Sequence, residues 1–192
     1  SYRTIRPFST MGGDYSLVTS GLGVRFGIPV TELDRIFVGA TAEHITINPG
    51  NLLPTAYQDY STQFGASTHT VPLSVGWARD SRDSYLNPNR GTFIRANTEM
   101  GVAGDTRYTK FGTQYQQYIP ITKQYTFAFN VDLGVGKGLQ GQSLPFYKNY
   151  YSGGLGSVRG FELGTLGPRD VTGPVIGGAK KINLNTEFLM PF

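Results

Sequence analysis

The chain has 192 residues, among them 26 glycines, 12 tyrosines and 12 phenylalanines, with only 16% charged residues and a formal net charge of +4. No run approaches the ~18 apolar residues a membrane helix needs, which excludes a helical span but not a barrel, whose strands alternate lipid-facing and lumen-facing side chains. Cysteine is absent, which rules out disulfides and thiolate metal sites, and the scattered basic residues lack the clustering of a nucleic-acid footprint.

The sequence starts at Ser1 with no leader-like pattern, so any signal peptide lies outside it. From Tyr15 to Pro29, Val18, Leu22, Val24, Phe26 and Ile28 share one parity, and Thr19, Gly21, Gly23, Arg25 and Gly27 the other. This is the period-2 pattern of a strand with one apolar face. After the turn Thr31-Glu32-Leu33-Asp34, a second strand from Arg35 to Ile47 places Ile36, Val38, Ala40 and Ala42 opposite Thr41 and Glu43. Asn48-Pro49-Gly50 opens a loop to about Asp59. A third strand, ending near Arg79, carries Val71, Leu73, Val75 and Trp77 on one face.

The turn-rich stretch Asp80 to Gly91 separates this strand from the next, in which Ile94, Ala96, Met100 and Val102 face away from Arg95, Asn97 and Glu99. A less regular strand runs from Arg107 to Ile119. A clean one follows, with Tyr125, Phe127, Phe129, Val131 and Leu133 against Asn130 and Asp132. The last has Ile182, Leu184, Thr186, Phe188 and Met190 against Lys181, Asn183, Asn185 and Glu187. No segment shows a convincing helical period. Phe192 falls inside a strand-like alternation, so the sequence reads as part of a longer chain.

Seven or eight antiparallel strands of about 10–15 residues exceed the ~5–6 of soluble sheets and match the tilted spans of outer-membrane barrels. The fold expectation is therefore all-β, an antiparallel transmembrane β-barrel with Arg25, Glu43, Arg95, Glu99, Asp132, Lys181 and Glu187 on its lumen face. A soluble sandwich or lipocalin-like barrel allows the same alternation. Strand length, aromatic content and unequal connections favour the membrane barrel.

Little here looks catalytic. His44 and His69 fall on different strands and read as plain strand residues. Gly134-Val135-Gly136-Lys137-Gly138 lacks the Ser/Thr and helix of a phosphate loop, and Gly154-Leu155-Gly156 lacks the third glycine of a dinucleotide fingerprint. Turn capping and a solvated lumen account for Asp80, Asp83 and Glu99. The expectation is a non-enzyme without metal or cofactor.

The singular feature is a long glycine-rich interval, about Gly138 to Ile176, centred on Val158-Arg159-Gly160-Phe161. Unstructured loops of this length are usually functional or disordered. Arg159 reads either as solvent-exposed or as folded back to pair with a lumen carboxylate, with Gly160 allowing close backbone approach to the wall. Glu187, of polar parity on the next strand, is the first choice of partner and Asp132 the second. If the pair is buried, removing one member is expected to cost on the order of 3–5 kcal/mol.

Val158-Arg159-Gly160-Phe161 resembles the VRGF motif of the Omp85 superfamily of outer-membrane assembly and translocation proteins. Gly177-Gly178, Glu187 and Pro191 resemble the motif of the strand that follows it. Arg79 to Asp83 with Pro88 to Gly91 resembles a turn of that family, and Phe161 to Pro168 is most similar to its bacterial assembly branch.

The resemblance covers most of the chain and implies one partial barrel domain over 1–192, with about 7–8 strands of a barrel of roughly 16. It implies a lumen-folded loop whose Arg159 meets Glu187, and a bacterial outer-membrane location. The implied partners are the lipid bilayer, unfolded outer-membrane proteins and, through POTRA domains that this chain lacks, accessory lipoproteins. The implied activity is folding and inserting β-barrel proteins. A two-partner-secretion pore carries the same loop motif and is the alternative. The ending Phe188, Met190, Phe192 also resembles the end of a complete eight-stranded barrel, a reading the family motifs oppose.

Overall fold

The computed structural model describes residues 2–5, 15–49, 54–171 and 173–190. It is one antiparallel sheet of eight strands in sequential order: β1 (Tyr2–Ile5), β2 (Tyr15–Pro29), β3 (Asp34–Pro49), β4 (Ser67–Asp80), β5 (Gly91–Gly104), β6 (Tyr108–Pro120), β7 (Thr126–Gly138) and β8 (Lys180–Leu189). Each strand pairs with the next, and no pairing joins β1 to β8 among the described residues. Among the described residues the sheet is therefore open, which does not match a small closed eight-stranded barrel. Pro191 and Phe192, which entered the sequence argument, lie outside the described residues, as do Gly50 and the three positions after it.

The alternation explains both faces. Register pairs Leu22 with Ala42, Val24 with Ala40 and Phe26 with Val38 on one side, and this side continues through Val38–Val75, Trp77–Ala96 and Val131–Leu184. Most of these apolar side chains are exposed, Leu22 at 81% and Leu184 at 63%, and Ala40, Ala96 and Val131 are half-buried between them. An apolar surface continuous across the sheet is far beyond the patch size of a soluble monomer. It is the lipid-facing side of an outer-membrane barrel. Pro72 lacks a backbone N–H, and the β4–β5 register shifts at Val71/Pro72, the bulge position where a strand tolerates proline.

The connections are unequal. One end of the sheet has the turns 30–33, 81–90 and 121–125. The other has the connections 6–14, 50–66 and 139–179, together with the tight turn 105–107. The second of these long connections holds an element absent from the sequence expectation, the helix α1 (Thr55–Phe64). Its rings Tyr57, Tyr60 and Phe64 recur at helical spacing, but a helix this short is marginal by itself and depends on what it packs against. Here that is a cluster of Leu17, Ile45, Ile47, Tyr57, Tyr60 and Phe146, with Phe64, Tyr147 and Ile176 at its margin. Leu17, Ile45 and Ile47 lie on the face opposite the lipid side, so this core is inside the concavity. Phe146 belongs to the 139–179 connection, so the two long connections dock on one another.

Candidate functional site

The 139–179 connection lies along the inner face of the sheet. Its root is seated by glycines of β7: a Cβ at Gly134 would stand 2.8 Å from the Tyr150 ring, and one at Gly136 would stand 2.8 Å from Leu144 Cδ2. The glycine series that ends β7 is thus a smooth seat for the loop, not a phosphate cradle. Tyr150 lies between Lys110 Nζ, 4.2 Å from its ring centroid, and Lys181 Nζ at 5.5 Å, and its hydroxyl donates to Phe111 O at 3.0 Å.

The root also meets α1. Tyr57 and Tyr151 hydroxyls are 3.1 Å apart, Tyr60 and Tyr147 hydroxyls 3.3 Å, and the Tyr57 and Phe146 rings 4.0 Å between centroids. Burial pushes the Tyr60 phenol pKa up, with the neighbouring Tyr147 adding to the effect. Thr55 N donates to Asp170 Oδ2 at 3.2 Å, which ties the helix start to the far limb of the loop.

The tip sits on β8, whose inward residues Lys181, Asn183, Asn185 and Glu187 form a polar column. Asn183 Nδ2 donates to Ser157 Oγ at 2.8 Å and Asn185 Nδ2 to Ser157 O at 2.7 Å. Ser152 Oγ donates to Asn183 Oδ1 at 2.9 Å. One step further, Arg159 Nη2 lies 3.4 Å from Glu187 Oε1, with the arginine side chain 66% exposed and the glutamate 35%. The second-choice partner Asp132 is engaged elsewhere: its Oδ2 is 2.5 Å from Lys181 Nζ.

Two sequence expectations need correction. The Arg159–Glu187 pair is not buried, so solvent screens it and its worth falls to about 0–1 kcal/mol rather than the larger cost of a buried pair. Gly160 makes no close approach, since a Cβ there would meet nothing within 4 Å. Its φ of 86° is what favours glycine. Val158 is half-buried and Phe161 exposed. Gly178 exchanges backbone hydrogen bonds with Tyr150 at 2.8 and 2.9 Å, and Gly177 has a φ of 70° directly beside that bridge.

Sequence reasoning missed Asn183, Asn185, Ser152 and Ser157, because a search for charge partners passes over neutral amides. It also missed Lys148, whose Nζ lies 2.8 Å from Glu99 Oε1 and 3.4 Å from Glu43 Oε2. Tyr108, fully buried, donates its hydroxyl to Glu99 Oε1 at 2.6 Å. His44 and His69, read as unrelated strand residues, are register partners with ring centroids 4.2 Å apart. At the short-turn end, Asp83 Oδ1 accepts from Asn89 N and Arg90 N. The first of these bonds is the main cause of an Asp83 carboxyl held below its ordinary range.

These geometries can be set beside known proteins. The chain is similar to the outer membrane protein assembly factor BamA of Neisseria meningitidis serogroup B, 38% identical over 97% of this chain and 25% of that protein. It is also similar to BamA of Nitratidesulfovibrio vulgaris, 27% identical over 93% of this chain and 23% of that protein. The chain thus spans about a quarter of the length of these curated relatives. Among solved structures, the crystal structure of BamA from Haemophilus ducreyi lacking POTRA domains 1–3 aligns with a TM-score of 0.87 at 24% identity. That alignment covers 93% of this chain and 38% of that one, a likeness of fold. The Omp85 superfamily domain matches residues 8–192, and the chain belongs to that superfamily.

Proposed function

We propose that this chain is part of the barrel wall of an outer-membrane protein assembly factor, and that its inward loop occupies the lumen and latches to β8. The observation that carries the reading is the seating of Ser157 and Arg159 on the Asn183–Asn185–Glu187 column in a chain of this family. The apolar outer face meets the lipid of the bacterial outer membrane. The long connections lie on the cell-exterior side, where such barrels carry their longer loops. Unfolded β-barrel proteins are the clients, and POTRA domains elsewhere in the full-length protein receive them together with accessory lipoproteins. The action is non-enzymatic: the wall and loop provide a folding surface and hold the lumen shut.

The test uses the full-length protein in cells depleted of their own assembly factor. Arg159→Glu replaces a screened attraction by a screened repulsion of about 1 kcal/mol, so the latch equilibrium constant is expected to fall roughly fivefold and the yield of folded outer-membrane barrels to fall with it. The exchange Arg159→Glu with Glu187→Arg restores them. Full barrel assembly with Arg159→Glu alone would overturn the latch. Unchanged barrel assembly with lost export of one soluble partner would assign the chain to a secretion pore instead.

A further inference from the structure

We propose that Lys148 is a second, independent anchor of the inward loop, fixing its root to β3 and β5 while the tip is fixed to β8. The inference rests on the reading of the loop as a lumen element and adds a positioning residue to it. Lys148 follows Phe146 and Tyr147 in a 3-10 turn of the loop (Phe146–Lys148). Those two rings are held in the inner cluster, so the direction of the lysine is set by packing. Its ammonium reaches Glu99 on β5 at 2.8 Å and Glu43 on β3 at 3.4 Å, passing over β4 between them. The Tyr108 ring lies 5.2 Å from the same ammonium, and its hydroxyl takes up an oxygen of Glu99.

The environment differs from that of the tip pair. Lys148 is only 14% exposed against 66% for Arg159, so its ion pairs are poorly screened. Burial alone would lower the lysine pKa, but the Glu99 and Glu43 carboxylates overcome this and hold it above the ordinary value. A raised lysine pKa stabilises fully below the ordinary value and is lost only as pH rises through the folded one. The root therefore stays charged and anchored throughout the neutral range.

With both feet in place the loop is a brace across the concave face. It binds strands β3 and β5 at its root, lies on β7 through Tyr150 and Gly134, and grips β8 at its tip. The feet share no side chain, so each can be released with the other still seated.

Because the chain has no cysteine, a single introduced thiol reports on the root. Thr68, 1% exposed and paired with Ile45 under the inner cluster, is replaced by cysteine in purified full-length protein freed of any other thiol. Labelling by a maleimide is then timed. Lys148→Met is expected to speed labelling by roughly tenfold or more, because it leaves the half-buried Glu43 and Glu99 carboxylates without their cation. Lys148→Arg and the exchange Lys148→Glu with Glu99→Lys should keep labelling near the parent rate. Arg159→Ala should leave it within about twofold, the exposed tip pair being weak. Unchanged labelling in Lys148→Met, or equal acceleration by Arg159→Ala, would overturn independent anchoring. Should Lys148→Met fail to fold, Glu43→Gln is read in its place, with faster labelling expected and an unchanged rate overturning the proposal. Labelling is measured apart from client assembly, so a failure here and a failure of the proposed function are separable.

Discussion

Gly177→Ala is expected to destabilise the loop by about 3 kcal/mol, against about 1 kcal/mol for Gly160→Ala. Both have positive φ, 70° and 86°, so each substitution carries the left-handed backbone cost. The difference lies in space. At Gly160 the new methyl meets nothing within 4 Å, whereas at Gly177 it stands 2.8 Å from Tyr151 Cζ, 2.9 Å from Tyr150 O and 3.0 Å from Asn149 Cβ. Those three residues cannot yield cheaply. Tyr150 is bridged to Gly178 by two backbone hydrogen bonds, while Asn149 Nδ2 and the Tyr151 hydroxyl both donate to Ile176 O, at 3.0 and 3.2 Å. Segments 149–151 and 176–178 form a collar that closes the loop at its root, and the added methyl pushes directly on it. Guanidinium unfolding of the full-length protein, followed by the heat-modifiable mobility of the folded barrel, measures both variants. A Gly160→Ala cost equal to that of Gly177→Ala would show that the collar is not what the glycine serves.

The strands were legible because their signal is local: Val18 to Ile28 or Phe127 to Leu133 declares a face within a few residues, and a shift of one position would invert it. Parity put Glu187 on the inward face of its strand, but it said nothing of where Arg159, in an unpatterned loop, would point. What stayed hidden depends on the fold. Lys148 has no periodicity to aim it; its direction is set by where Phe146 and Tyr147 are buried. The His44–His69 ring contact depends on the register across β3 and β4, and an irregular connection of uncertain length in the sequence conceals that register. The helix α1 was missed because its apolar stripe consists of three aromatic residues that make sense only against Leu17, Ile45 and Ile47. Asp132 remained a possible partner of Arg159 until the diagonal neighbour Lys181 was seen to claim it. Glycine was right at position 160 for a different reason than expected, conformation rather than proximity.

The neutral side chains of β8 should matter more to stability than the arginine that draws the eye. Asn183→Leu is expected to cost about 2–4 kcal/mol and Arg159→Ala about 1 kcal/mol or less. Asn183 is 4% exposed and uses both ends of its amide, accepting from Ser152 Oγ and donating to Ser157 Oγ at 2.9 and 2.8 Å. Ser157 Oγ also accepts from Gly153 N at 3.3 Å, so one side chain organises a chain of polar groups from residue 152 to 157. Leucine has nearly the same shape and leaves those groups unpaired in a place water enters with difficulty, which is the costly side of hydrogen-bond removal. Arg159, by contrast, exchanges a screened contact for water. The two variants and their double mutant, compared by the same guanidinium titration, separate the contributions, and a larger loss for Arg159→Ala would reverse the assignment. If the expected order holds, the amides supply most of the tip's hold, and the Arg159–Glu187 pair, weak but directional, selects the register at which Ser157 meets Asn183 and Asn185. That division of labour separates the strength of the tip's hold, set by the amides, from its placement, set by the ion pair.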